Sequence, residues 1–250
     1  MYVPTVVRLI HSKRYGETKM TIEEIRENYG KQLAEYALSL GAIQLKPTDP
    51  FTWASGYRMP IYNDNRRFLS NPQARALITE AFTQILAMTN LHPDNIAGTS
   101  TAGIPHATTL SDSLGLPLSY VRSSSKDHGM HQQIEGLLDS HSYEGKTVLL
   151  IEDLISTGGS SIKAVEAIRA AGGLCPYTFA IFTYGLDASK VAFDSLDPAC
   201  QYISILDYDL MVSCALEKGY VNEEEAAVLS QWRADPFGWG EKHGFHKVSK

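Results

Sequence analysis

The sequence is poor in the features that mark several large protein classes. Three cysteines, Cys175, Cys200 and Cys214, stand among 250 residues with no CxxC spacing and leave an odd thiol. That argues against a disulfide-stapled secreted scaffold and for reduced, partly buried thiols. No apolar run approaches the roughly 18–20 residues that span a bilayer, so no membrane span is expected. The first 20 residues carry only a short apolar part, broken by Arg8 and followed by no small-residue cleavage site. They read as an arm, or as sequence upstream of a start at Met20, rather than as a targeting peptide. Excess positive charge is also missing. A formal net charge of −6 argues against a protein that coats nucleic acid, where affinity comes from clustered Lys and Arg. No internal repeat appears, which disfavours a solenoid. A cytoplasmic location is the default expectation.

What is present is ordinary globular material, 44% hydrophobic and 20% charged, enough for one good-sized core. Apolar residues at Ile22, Ile25, Tyr29, Leu33, Tyr36, Ala37 and Leu40 recur at helical spacing, and Gly41 stops them. The aromatic, turn-rich segment at 51–72 predicts a hairpin or hood, and a helix follows from Pro72 to Met88 with Asn71 as its cap. From there the pattern alternates. NIAGTS, PLSYVR, KTVLLIED and LCPYTFAIFTYG read as strands; IPHATTLSDSLG and SSIKAVEAIRAAGG read as helices ended by glycine. Continuously apolar strands between helices predict an α/β fold, with a central, mostly parallel sheet flanked by helices and right-handed crossovers. The expected division is an arm at 1–20, a main domain at 21–210 with its hood at about 45–72, and a helix and irregular tail at 211–250. In that tail Trp232, Phe237 and Trp239 are expected to pack down as anchors.

The most informative segment is VLLIEDLISTGGSS, Val148 to Ser161. A buried strand delivers Glu152 and Asp153 at its carboxyl end; Leu154 and Ile155 follow, then Ser156, Thr157, Gly158, Gly159 and Ser160, then a helix. Small hydroxyl residues and glycines at such a turn let backbone N–H groups converge on a phosphate. Adjacent carboxylates repel phosphate but accept hydrogen bonds from sugar hydroxyls, so the pair and the turn together suit a ribose 5-phosphate unit. An isolated turn of this composition would be a plain N-cap with two strand-end surface charges; the ordered combination is more specific. No Lys follows the glycines, so this is not a Walker A loop, and no GxGxxG is present.

IEDLISTGGSS resembles the signature of type I phosphoribosyltransferases that binds phosphoribosyl pyrophosphate (PRPP). VRSSSKDHGMHQQIEG, Val121 to Gly136, is similar to the catalytic loop of the orotate phosphoribosyltransferases, and FTWASGYRMPIYNDNRRFLS to that family's N-terminal base-binding segment. The three motifs occur in the family's order, and the resemblance runs from about Thr21 to Tyr208. It implies the type I phosphoribosyltransferase fold with a small N-terminal hood, and transfer of ribose 5-phosphate from PRPP to orotate in pyrimidine biosynthesis. It also implies Mg²⁺ held mainly through PRPP without a direct protein ligand, and a homodimer that shares its lid loop across the interface. By motif, the PRPP contacts fall on Arg122, Lys126, His128 and the run from Glu152 to Ser160, with Lys126, His128 and Asp153 as the catalytic set. GTSTAGIP, Gly98 to Pro105, falls where the family has its pyrophosphate loop.

Ser156 aligns with a hydroxyl residue that contacts orotate in relatives. Arg58 is the local candidate to pair with the orotate carboxylate and Tyr62 to stack on the pyrimidine; a solvated hairpin charge and a core tyrosine are equally open readings of those two. The sequence departs from many relatives at Ala102 and Ser123, where basic residues stand in the family, so pyrophosphate binding rests on fewer charges. Two other readings remain: the same fold acting on a different base, and a PRPP-sensing regulator without catalysis. The lid cations count against the second.

Overall fold

The structure is a computed structural model that describes residues 19–123, 133–138 and 140–248. Thr21 opens it with a capping box: its hydroxyl accepts the Glu24 N–H while the Glu24 carboxylate takes the Thr21 N–H. The helical run that follows is α1 (Ile22–Ile25), a π-helical turn (Arg26–Gly30) and α2 (Lys31–Ser39). The hood consists of two short antiparallel ribbons, one inside the other. The outer ribbon pairs β1 (Ile43–Leu45) with β4 (Ile61–Asn63), and the inner pairs β2 (Phe51–Thr52) with β3 (Arg58–Met59). A 3-10 turn, Asn65–Ser70, leads into α3 (Pro72–Thr89). As expected, Asn71 caps α3, its side-chain oxygen accepting the Ala74 N–H at 2.9 Å, with Pro72 at the first helical position.

The remaining elements alternate. They are β5 (Asn95–Thr99), α4 (Gly103–Leu114), β6 (Leu118–Val121), β7 (Ile134–Glu135), β8 (Thr147–Ile155), α5 (Gly159–Ala170), β9 (Leu174–Thr183), α6 (Asp187–Asp194) and β10 (Gln201–Asp207). Then come α7 (Tyr208–Glu217), α8 (Glu223–Ala234) and α9 (Trp239–Lys242). Six strands form one sheet in the order β10-β9-β8-β5-β6-β7, parallel except for the β6–β7 pair. The sequence reading did not anticipate α6, β10 or α7. The last of these crosses position 210, and Trp232 and Trp239 bury in the same core as Ile151. Phe237 stays 45% exposed, edge-on to Tyr57.

The apolar run of β8 follows from burial on both faces. Leu149 and Ile151 enter the core that holds α3 and the hood, while Val148 and Leu150 enter the core under α5. From β5 the chain steps one way to β6, and from β8 the other way to β9. The carboxyl ends of β5 and β8 therefore flank a topological switch point, where open α/β sheets leave a crevice for ligands. Close packing of α4 beneath that crevice depends on Gly98. A Cβ there would lie 2.8 Å from the Ile104 Cα and 2.9 Å from the Ala107 Cβ. Gly98→Ala is expected to destabilise the fold by about 1–3 kcal/mol through overpacking, read as a lower urea midpoint; an unchanged midpoint would contradict this packing.

Candidate active site

The switch-point crevice is organised by Glu152, only 4% exposed. Its Oε1 accepts the Thr99 hydroxyl at 2.6 Å and the Asp153 N–H at 3.0 Å; its Oε2 accepts the Ser161 hydroxyl at 3.1 Å. Thr99 ends β5 and Ser161 lies in the first turn of α5, so one carboxyl ties together two strands and a helix. Burial, and then the adjacent Asp153 charge, push Glu152 up to about 8. Asp153 is half-buried, and burial raises its carboxyl too, against hydrogen bonds that favour the charged form.

Past Leu154 and the fully buried Ile155, the turn opens to solvent. Ser156 is half-buried, while Thr157, Gly159 and Ser160 are exposed. Gly158 sits at φ +87°, a left-handed conformation suited to glycine. A Cβ on Gly159 would meet nothing within 4 Å, so the amino end of α5 faces open space. The first intrahelical bond runs from the Ile162 N–H to the Gly158 carbonyl. The N–H groups before it form the kind of helix terminus that favours an anion.

Across the crevice, the turn after β5 contains a cis peptide between Ser100 and Thr101. Gly103 is pressed against β8: a Cβ on it would lie 2.5 Å from the Ile151 carbonyl oxygen and from the Thr99 Oγ1. Ala102 and Ser123 bring no charge, and the Ser123 N–H donates to the Ser100 hydroxyl at 3.1 Å. Arg122 is in the stem of the expected lid. Its N–H donates to the Gln133 carbonyl and its guanidinium pairs with Glu135 at 3.3 Å. Lys126 and His128, named from the sequence for the same role, lie outside the described residues.

The hood is bound to this strand end by Asn65, which is 1% exposed. Its amide donates to the Asp153 carbonyl at 2.6 Å and accepts from Asn63 at 3.0 Å. Burial, and then the nearby Asp153 charge, hold the Tyr184 hydroxyl well above the usual tyrosine range, and its ring packs 5.7 Å from Trp53 of the hood. Tyr62 is 39% exposed and packs on Phe51 at 5.6 Å. Arg58 uses its Nε and Nη2 on the Pro50 carbonyl at 3.2 and 2.8 Å, with its guanidinium 5.8 Å from the Phe245 ring. The structure thus brings Glu152, Asp153 and the turn to Ser160 together at the ends of β5 and β8, with the hood joined to this strand end through Asn65 and Trp53, and with Arg122 paired to Glu135 at the end of β6. Sequence reasoning missed Asn65, Thr99 and Ser161 as the buried partners of the acidic pair. Their only sequence signal was polarity at the end of an apolar strand or the start of a helix.

Among the described residues, no group of three or more His, Cys, Asp or Glu side chains gathers to hold a metal ion. No helix there is long and apolar enough to cross a membrane.

The Phosphoribosyl transferase domain model matches residues 64–183, from the hood's last turn to the end of β9, which sets the class of protein. The chain is 46% identical over 210 residues to the orotate phosphoribosyltransferase of Listeria innocua, covering 84% of this chain and 98% of that one. It is 48% identical over 203 residues to that of Oceanobacillus iheyensis, covering 81% and 98%. Among solved structures, the orotate phosphoribosyltransferase of Mycobacterium tuberculosis matches with a TM-score of 0.59 at 26% identity, over 72% of this chain and 97% of that one. The chain belongs to the orotate phosphoribosyltransferase family.

The state of Glu152 can be read from stability. Its carboxyl ordinarily titrates at 4.5 and is pushed up to about 8 in the fold. The folded chain therefore binds more protons in that window. This contribution is fully present below pH 4.5 and is lost as pH rises through 8. The unliganded unfolding midpoint is expected to fall across that window, and Glu152→Gln, which cannot ionise, to flatten the fall. Parallel profiles in the two proteins would contradict the assignment.

Proposed function

We propose that this chain transfers ribose 5-phosphate from PRPP to orotate, giving orotidine 5′-phosphate and pyrophosphate, a step of pyrimidine biosynthesis. The observation that carries the reading is the strand-end carboxyl pair, Glu152 buried and Asp153 half-buried, beside the open amino end of α5 at the switch point of the sheet. The 42–48% identity to curated orotate phosphoribosyltransferases supports the choice of base.

In this reading the turn from Ser156 to Ser160 receives the 5-phosphate on backbone N–H groups. Asp153 accepts from the ribose hydroxyls, and Glu152, committed to Thr99 and Ser161, holds the turn and strand end in register beneath it. The base nitrogen attacks the anomeric carbon as the bond to pyrophosphate breaks. Positive charge builds on the ribose and negative charge on the leaving group. Asp153, next to the ribose, offsets the first; the cations of Arg122, Lys126 and His128 offset the second. Arg122 would exchange its Glu135 partner for pyrophosphate oxygens, which match a guanidinium's paired donors. Closure of the lid excludes water that would otherwise hydrolyse PRPP.

Mg²⁺ would be held mainly through PRPP, with Asp153 as the nearby carboxylate, and would supply positive charge against the leaving pyrophosphate where Ala102 and Ser123 supply none. Ser156 contacts the base from below, and Tyr62 and Arg58 meet it from the hood. A cytoplasmic homodimer with the lid shared between protomers completes the proposal.

The test is ultraviolet absorbance of orotate with purified protein, PRPP and Mg²⁺. PRPP-dependent loss of orotate that stops when Mg²⁺ is chelated is the expected result. Consumption of a purine or another pyrimidine, with orotate untouched, would overturn the assignment.

A further inference from the structure

The inner hood ribbon has two residue pairs, Phe51 with Met59 and Thr52 with Arg58. A ribbon that short does not hold its shape alone, and most of what steadies its tip comes from the far end of the described chain. The Val248 N–H donates to the Gly56 carbonyl at 2.9 Å. Gly56 lies at φ +83°, and any Cβ on it would run into the Val248 carbonyl oxygen. Lys247 places its ammonium 4.2 Å from the centre of the Tyr57 ring, whose edge meets Phe237 at 5.2 Å. Phe245 lies under the Arg58 guanidinium, and a Cβ on Gly240 would sit 3.2 Å from the Arg58 carbonyl.

The same segment is also braced by contacts of its own. Trp239 is 1% exposed and stacks on His243 at 4.7 Å and on Phe245 at 5.7 Å. Glu241 accepts from the Lys247 N–H at 3.0 Å and pairs with His246 at 2.7 Å. Residues 239–248 thus form a strap with one end in the core and the other across the ribbon tip.

The strap bears on one side chain with a substrate role in the proposed function. Arg58 spends its Nε/Nη2 edge on the Pro50 carbonyl. Among the described residues no partner occupies the Nη1/Nη2 edge, which can take a carboxylate end-on with two parallel hydrogen bonds. Pro50 fixes the guanidinium on one edge, and the Phe245 ring fixes it on one face. Such a donor is preorganised for a planar carboxylate.

We propose that the strap of residues 239–248 is a positioning element for the base subsite, holding the ribbon and Arg58 ready for the carboxylate of orotate. The proposal rests on the orotate reading above. The strap touches neither the carboxyl pair nor the turn that would hold PRPP, so its loss should act on the base alone. If the freed ribbon occupies its base-accepting form about a tenth of the time, apparent orotate affinity falls about tenfold.

The experiment compares the full chain, a variant ending at Gly244, Phe245→Ala and Phe245→Tyr. For each, KM for orotate, KM for PRPP and kcat are measured at saturating partner substrate. Expected are a roughly tenfold rise in orotate KM for the truncated and Phe245→Ala proteins and a PRPP KM within about twofold of the full chain. Phe245→Tyr, which keeps the ring under Arg58, should restore the orotate KM. Unchanged orotate KM, or parallel loss of both KM values as general unfolding would give, overturns the strap's role while leaving the orotate reading intact. A full chain that consumes no orotate overturns both.

Discussion

The buried Glu152 carboxyl is the contact on which the rest of the site depends. Burying a charge at 4% exposure is costly unless donors surround it or it takes up a proton. Both happen here: Thr99, Ser161 and the Asp153 N–H donate to it, and its affinity for a proton rises. Two of those donors come from the end of β5 and the first turn of α5, so the carboxyl sets the spacing between the loops on either side of the crevice. Asp153, one residue on, is left half-buried with no ion pair among the described residues, although the Arg66 charge favours its ionised form. One acidic residue serves the fold and leaves its neighbour's carboxyl uncommitted to it.

Asn65 and a chain of aromatic rings fasten the hood to this frame. Asn65 bonds the chain after β4 to the Asp153 carbonyl. Rings then run from Trp53 through Tyr184 to Trp232, with centroids 5.7 and 5.4 Å apart, linking the inner ribbon to the tip of β9 and to α8. Neither ribbon has more than three residue pairs, so the hood's shape is borrowed from the sheet tip and the strap.

Much of this was legible in the sequence because it is local. The run Val148 to Ser161 carries strand, acids, turn and helix start in one stretch, and the structure reproduces that order. Asn71 could be named as a cap because a cap and its helix are neighbours. What stayed hidden depends on distant partners. Asn65 and Asp153 are 88 residues apart, and Thr99 and Glu152 are 53 apart. A polar side chain in the sequence gives no sign of which buried group it will meet. The helix α6 escaped notice because it buries only Ser189 and Phe193 of eight residues, too few for a helical stripe. Arg58 shows the same limit: its type suggested a carboxylate partner, but its hold on Pro50 and its seat over Phe245 come only from the fold.

The role proposed for Asp153, accepting from the ribose hydroxyls beside the phosphate-binding turn, is put to the test by calorimetric titration of PRPP into Asp153→Asn. Hydrogen bonds to a charged acceptor contribute about 1.5–3 kcal/mol. PRPP binding is therefore expected to weaken by roughly ten- to a hundredfold in the variant. If the carboxylate instead only repels the ligand's phosphates, removing its charge would leave PRPP binding unchanged or tighter, and Asp153 would have no part in holding the ribose.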